Sequence, residues 1–174
     1  MKKRKIGIIG GSGLYGIEGF ENEKWKKIKT VWGEPSGRVL TATLNKEEIC
    51  FIPRHGKGHK FNPTKINYRA NIDALKRLGV TDIVSVSAVG SLQEHLLPGT
   101  FVIVDQFIDR TFARKKTFFD DDIVAHVSMA KPTSPSLMKC CESALIKSKI
   151  NYQNGGTYLV MEGPQFSSLA ESKM

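Results

Sequence analysis

The sequence predicts an α/β fold: a three-layer α/β/α sandwich with a mixed sheet, built as a single domain over residues 1–174. Three observations predict it. Near-continuous apolar runs alternate with amphipathic stretches of helical period, the pattern of strands covered on both faces. Two of the runs, Val39–Leu44 and Glu48–Ile52, are joined by a short polar turn and should pair antiparallel, which makes the sheet mixed. A chain of 174 residues, 40% hydrophobic and 25% charged, can bury about 70% of its unfolded surface without staples.

The elements follow in order. Residues 4–9 are apolar after their basic start and run into Gly10-Gly-Ser-Gly13, a buried strand entering a Gly-rich turn. The hairpin over residues 39–52 turns at Asn45-Lys46-Glu47. Asn62-Pro63 gives an N-cap and a first-turn proline, and Gly79 follows Lys76-Arg77, which predicts one helix between them. Its apolar stripe is Tyr68, Ile72, Leu75 and Leu78. The β-branched run from Thr81 to Val89 reads as a central strand, and Phe101–Val104 as another. Ser134-Pro135 opens a second helix that ends near Lys149, and Thr157–Met161 is a further strand.

Composition narrows the function classes. Cys50, Cys140 and Cys141 are odd in number, two are adjacent, and no C-x-x-C occurs. That argues against a disulfide framework or a zinc site and for a reducing, cytoplasmic setting. The net charge of +9 is concentrated in residues 2–5 and 24–29. A basic balance suits nucleic acid or a small anion. No RNP-like aromatic motif or zinc-finger spacing supports nucleic acid, so neither it nor a membrane is expected as a partner. The short, Gly-broken apolar stretch after the basic start is expected to be a strand rather than a secretion signal.

Four segments carry chemistry. Gly11 to Gly16 matches G-x-G-x-x-G after a strand, but a poor helix former follows, so a dinucleotide fingerprint is not expected. Its small residues let backbone N–H groups and the Ser12 hydroxyl approach an anion, or they simply make a turn. Arg54 and His55 end a buried strand, where α/β sheets place ligands, and a guanidinium fits phosphate. The pair His55 and His59 in a Gly-containing loop is a poor metal site. Ser85 to Ser91 ends the next strand in hydroxyls and small residues, suited to an anion or a sugar or to close packing. Glu162 can accept from sugar hydroxyls and Phe166 can stack on a flat ring, although Phe166 fits the core equally well. No G-x-S-x-G elbow or activated Cys occurs, which disfavours nucleophilic hydrolysis.

Taken together, Ile6–Leu14, Arg54-His-Gly56 with His59, Ile66–Ile72, Ser87–Leu92, Asp105–Thr111 and Glu162–Ser168 resemble the purine nucleoside phosphorylase superfamily. Within it they are most similar to the methylthio, 6-aminopurine branch. The resemblance implies reversible phosphorolysis of S-methyl-5'-thioadenosine to adenine and 5-methylthioribose-1-phosphate, a pentosyltransferase reaction of purine and methionine salvage. The alternatives are a 6-oxopurine or methylthioinosine phosphorylase, or a non-catalytic phosphate-binding or assembly module. No cofactor or metal is implied; inorganic phosphate is a co-substrate. Ser12, Arg54, His55, Ser87 and Ala88 match phosphate-binding positions. Val89, Gly90, Phe166, Ser167 and His126 match substrate-binding positions, with His126 supplied by a neighbouring subunit of a homotrimer. Val89 stands where many members carry Cys, and Leu169 where Arg is usual. Family chains run longer, so residues 1–174 are expected to be an N-terminal portion, with the leaving-group acid beyond Met174.

Overall fold

A computed structural model describes residues 4–14, 16–119 and 122–173, with backbone alone at Ser12. Lys2 and Lys3 of the basic cluster, Tyr15 of the Gly-rich motif and Met174 of the C-terminal segment lie outside the described residues. The chain forms two compact units, one of residues up to Ala88 with Lys115–Phe118, the other of Val89–Arg114 with Phe119 onward.

The first unit is an α/β unit around a mixed sheet. Its strands are β1 (Ile6–Gly10), β2 (Glu21–Lys26), β3 (Val39–Leu44), β4 (Glu47–Pro53) and β5 (Asp82–Ser85), in the order β2-β3-β4-β1-β5. β1 pairs parallel with β4 and β5, while β2–β3 and β3–β4 are antiparallel. The α/β class and the mixed sheet are as the sequence predicts. Leu44 pairs with Glu47, so the hairpin loop is Asn45-Lys46 alone. Both residues take positive φ, 48° and 67°, the geometry whose twist matches the flanking strands.

Strand alternation covers both faces. Val39, Cys50 and Ile52 pack on one side with Ala74 and Leu75 of helix α1 (Tyr68–Arg77). Leu40, Ala42 and Phe51 point to the other, against Ile8, Leu14 and Phe20. Gly10 is required where β1 ends, because a Cβ there would lie 2.5 Å from Leu14 Cδ1 and 3.1 Å from the Phe51 ring.

Three expectations are corrected. The single helix opened by Asn62 is two elements. Asn62 caps a 3-10 turn, Pro63–Lys65; Ile66 is extended, and Asn67 caps α1 through Ala70 N–H at 3.1 Å. The buried face of α1 is Ala70, Asn71, Ala74 and Leu75 rather than the larger stripe, because small residues let the helix lie close to β4. The Thr81 run supplies β5, which is not central: it ends the order of its sheet and pairs with β1 alone among the described residues. β2 is an additional strand, fully exposed and charged, with a register shift between Glu21 and Lys24. Such charge and irregularity suit an edge.

α1 also grips the segment before β3. Asn67 Nδ2 donates to the Trp32 carbonyl at 2.7 Å. Buried Asn71 accepts from Ser36 N–H at 2.8 Å and donates to Ser36 Oγ at 2.9 Å. The Arg69 guanidinium lies over the Trp32 ring at 4.7 Å, and Trp32 meets Phe118 edge-on at 5.1 Å.

The second unit holds β6 (Phe101–Ile103) parallel to β8 (Tyr152–Asn154), and β7 (Gln106–Asp109) parallel to β9 (Thr157–Val160). The same two segments form both ladders and are interrupted together. Asp105 Oδ1 accepts from Gly156 N–H at 2.9 Å, and Gly155 has φ +85°. β7 and β8 are absent from the sequence expectation; a polar Asp105 and paired glycines hide them. Helix α2 (Pro135–Lys147) starts at the expected Ser134 cap and ends at Ser148. A short helix, α3 (Leu169–Ser172), carries a capping box between Ser168 and Glu171. No described helix is long and apolar enough to cross a membrane.

Candidate functional site

The parallel core β4-β1-β5 brings three strand ends side by side. Gly10 pairs with Pro53, and Ile9 with Ser85. Backbone bonds continue the ladders beyond the strands: Arg54 N–H donates to the Gly10 carbonyl and Val86 N–H to the Ile9 carbonyl, both at 2.9 Å. This places Arg54 on one side of the Gly10-Gly11 turn and Val86-Ser87 on the other. The carboxyl ends of such strands are where α/β sheets put ligands.

Arg54 is anchored there by its own donors. Nη1 donates to the Val86 carbonyl at 3.3 Å and to Ser87 Oγ at 2.5 Å. Nε donates to His55 Nε2 at 3.3 Å. A Cβ placed on Gly11 would lie 3.9 Å from Nη2, so the guanidinium sits beside the Gly-rich turn. That turn is a single 3-10 turn, Ser12–Leu14, closed by Leu14 N–H on the Gly11 carbonyl at 3.2 Å. The next regular element is a strand, so the G-x-G-x-x-G match opens no helix, as expected. Among the described residues no carboxylate pairs with Arg54. An anchored cation beside exposed N–H groups and a hydroxyl is suited to hold a small anion.

His55 is 9% exposed, with Nδ1 2.9 Å from the Phe61 carbonyl. A carbonyl only accepts, so Nδ1 carries the proton and the neutral ring accepts at Nε2. The His59 ring stacks on it, centroids 4.1 Å apart. The histidine pair is therefore a stacked pair rather than a ligand set. Burial pushes the His55 imidazole below its ordinary 6.5, and the nearby His59 and Arg54 charges add to this, against the Phe61 hydrogen bond. The unfolded chain thus binds this proton more readily than the folded one. Stability from neutral His55 is present above pH 6.5 and is lost as pH falls through the lower folded value. Urea midpoints from about pH 7 to about pH 5 are expected to decline more steeply for the wild type than for His55→Phe. Equal slopes would mean that His55 does not carry this dependence.

The phosphate-suited residues Arg54, His55, Ser87 and Ala88 all belong to the first unit, as does the Ser12 backbone; the Ser12 side chain lies outside the described residues. Sequence reasoning missed the carbonyls of Val86 and Phe61, because a backbone acceptor carries no residue signature. Val89, Gly90, His126, Phe166 and Ser167 belong to the second unit. Val89 is 60% exposed and Phe166 93% exposed, which excludes a core position within that unit. Gly90 and His126 are exposed as well. Ser167 Oγ lies 2.7 Å from Ser172 Oγ, which ties this loop to α3.

Glu162 differs from its expected part. It is buried, and its Oε2 accepts from the N–H groups of Phe112 at 2.6 Å and Ala113 at 3.1 Å. Oε1 pairs with Arg114 Nε at 3.4 Å, and Arg114 also donates to the Met161 carbonyl. The carboxylate fastens the segment after β7 to the end of β9. A buried carboxylate accepting several N–H bonds is held by its network rather than presented to a ligand.

A family model described as the phosphorylase superfamily matches residues 5–174. The S-methyl-5'-thioadenosine phosphorylase of Cereibacter sphaeroides is 58% identical over 170 residues, covering 98% of this chain and 59% of that protein. That of Thermofilum pendens is 52% identical over 174 residues, covering 100% of this chain and 66% of that protein. Among solved structures, methylthioadenosine phosphorylase from Schistosoma mansoni in complex with adenine aligns with a TM-score of 0.93 at 34% identity, over 98% of this chain and 69% of that one. One sourced from an antarctic soil metagenomic library aligns with a TM-score of 0.92 at 49% identity, over 98% and 60%. The chain thus spans less than two thirds of the first curated relatives it matches, 59% and 58% of their length. Matched from residue 5 to residue 174 by one family model, and sharing its backbone course with these structures, the chain belongs to the phosphorylase superfamily.

Proposed function

We propose that this chain is the N-terminal portion, residues 1–174, of a phosphorylase domain that cleaves S-methyl-5'-thioadenosine with inorganic phosphate. The observation that carries this reading is Arg54, anchored by Val86 and Ser87 at parallel strand ends with no carboxylate partner among the described residues. Sequence identity of 58% to a methylthioadenosine-cleaving relative supports the choice of substrate. Phosphate lies against Arg54, the Ser87 hydroxyl and the backbone at Ser12 and Ala88, with His55 beside Arg54. The exposed Phe166 and the half-buried Ser167 meet the purine and ribose, with Val89 and Gly90 lining the same subsite.

The reaction exchanges the bond between the ribose anomeric carbon and adenine for a bond to a phosphate oxygen. Its transition state is charged at the sugar, and a fixed dianion next to that carbon stabilises it by placement. Phosphate is a co-substrate, and no cofactor enters this scheme. The product pair, adenine and 5-methylthioribose-1-phosphate, places the reaction in purine and methionine salvage. The exposed His126 is assigned to the neighbouring subunit's pocket, which makes the assembly a homotrimer. Three free thiols favour the cytoplasm.

The test is adenine release from S-methyl-5'-thioadenosine by the protein that carries this chain, with and without phosphate. Release only with phosphate is the expected result. Release without phosphate would replace phosphorolysis by hydrolysis. Faster cleavage of methylthioinosine or a 6-oxopurine nucleoside would move the substrate assignment to those alternatives.

A further inference from the structure

Phe166 and Ser167 stand on an arch, residues 163–167, between the end of β9 and α3. Phe166 is 93% exposed, so packing does not fix its ring; the two feet of the arch do. The first foot is Met161-Glu162. Arg114 Nη2 donates to the carbonyls of Met161, at 3.1 Å, and of Glu162, while Nε lies 3.4 Å from Glu162 Oε1. Glu162 Oε2 accepts from the N–H groups of Phe112 and Ala113. Residue 162 is held by backbone and side chain at once, which fixes the direction in which the chain leaves it. The second foot is Ser168 with Glu171. Ser168 N–H donates to Glu171 Oε2 at 2.8 Å, and Oε1 of that carboxylate lies 4.0 Å from Arg110 Nη1. Both feet therefore rest on residues 110–114. That platform is stiff: Arg110 N–H donates to the Val160 carbonyl at 2.9 Å, and buried Thr111 donates its N–H to Asp109 Oδ1 at 2.8 Å.

We propose that Glu162 and Arg114 are positioning residues for the nucleoside: their clasp sets where the Phe166 ring stands, and neither side chain touches substrate. The proposal rests on the placement of Phe166 at the purine given above. The Arg114 and Glu162 side chains are 12% and 7% exposed, which closes them to a nucleoside. A buried ion pair is a poor device for stability alone, because desolvation offsets its attraction and apolar side chains of similar volume fasten a loop as well. What the guanidinium adds is direction. Its planar fork ties Nε and Nη2 to three oxygens of two successive residues, the Met161 carbonyl, the Glu162 carbonyl and Glu162 Oε1. An exposed ring on a loosely rooted arch would have to be ordered by each ligand that binds, at a cost in affinity. With the root fixed, that ordering is done before the nucleoside arrives.

A double-mutant cycle on the nucleoside tests this in the protein that carries this chain. The KM for S-methyl-5'-thioadenosine is taken from initial rates of adenine release, and phosphate Kd from calorimetry. Glu162→Gln keeps an acceptor for the Phe112 and Ala113 N–H groups and turns an amide NH2 toward Arg114. It is expected to raise the nucleoside KM about tenfold, the scale of losing one hydrogen bond to a charged group, and to leave phosphate Kd unchanged. In a Phe166→Ala background the same substitution is expected to change the nucleoside KM by less than about twofold, because the ring it positions is gone. Equal factors in both backgrounds overturn the proposal. An unchanged nucleoside KM in Glu162→Gln overturns it as well, and so does a parallel loss of phosphate affinity, the mark of a merely structural residue. Arg114→Lys, which keeps the charge and loses the fork, is run through the same cycle and keeps the test intact should the Gln variant fail to fold. A wild-type nucleoside KM in Phe166→Ala itself removes Phe166 from the purine subsite and overturns that reading, and this inference with it; that result is distinct from an additive cycle. Adenine release without regard to phosphate overturns phosphorolysis alone, and the nucleoside cycle still decides this inference.

Discussion

Arg54→Ala is expected to lower phosphate-dependent kcat/KM by about 10²–10³-fold, roughly 3–4 kcal/mol of transition-state stabilisation. The reason lies in what surrounds the side chain. No carboxylate among the described residues neutralises it, so its charge is available to an anion. Val86, Ser87 and His55 hold it before any ligand arrives, so little ordering remains to be done on binding. Two of the partners it abandons, Val86 and Ser87, are partly open to water, which replaces the lost bonds, so the folded state loses less than the reaction does. Initial rates at varied phosphate, read beside a thermal melt, separate the two effects. A rate loss under about tenfold would take Arg54 out of the anion site. A melting temperature that falls in step with the rate would make it a structural residue.

Gly56→Ala is expected to cost roughly 2–5 kcal/mol of folding free energy, from a left-handed backbone and an overfilled contact together. Gly56 has φ +72°, and a Cβ there would lie 2.7 Å from the Ser36 carbonyl oxygen and 3.2 Å from the Phe61 ring. The Ser36 backbone has little room to retreat, because Asn71 holds both its N–H and its hydroxyl. The strain therefore falls on the turn that carries Arg54 and His55. Urea unfolding with an unchanged slope and a lower midpoint is the expected observation. A loss below about 1 kcal/mol would show that the turn relaxes by another route.

Strands and strand ends are the legible part of this sequence. Val39–Leu44 and Glu48–Ile52 are buried on both faces, so their apolar runs survive any choice of period, and their boundaries match the structure within one residue. β2 is illegible for the opposite reason. An exposed edge strand, Glu-Asn-Glu-Lys-Trp-Lys, has no buried face to leave a pattern. Asn62-Pro63 is a sound helix start that stops after one 3-10 turn, because Ile66 turns inward and is buried and Asn67 begins again. Of the candidate site, the meeting of Arg54 and Ser87 is legible, because a charged fork and a hydroxyl stand at neighbouring strand ends. The roles of Val86 and Phe61 lie in their carbonyls, which every residue has. A carboxylate after a strand, such as Glu162, looks able to accept from a sugar; Phe112, Ala113 and Arg114, some 50 positions earlier, make it a fastener.

The convergence of β4, β1 and β5 also fixes when the anion cradle comes into being as the chain folds. Arg54 and Ser87 are 33 residues apart, and Arg54 receives its register from Gly10, far upstream. Parallel pairing joins segments that are distant in sequence, and loop closure must precede the contacts that reward it. Among the described residues, no hairpin or single helix contains two sides of the cradle. A nascent or partly refolded chain, however much local structure it has acquired, does not assemble the proposed anion site until all three strands have met. Ligand capture is then a readout of completed topology, not of local order.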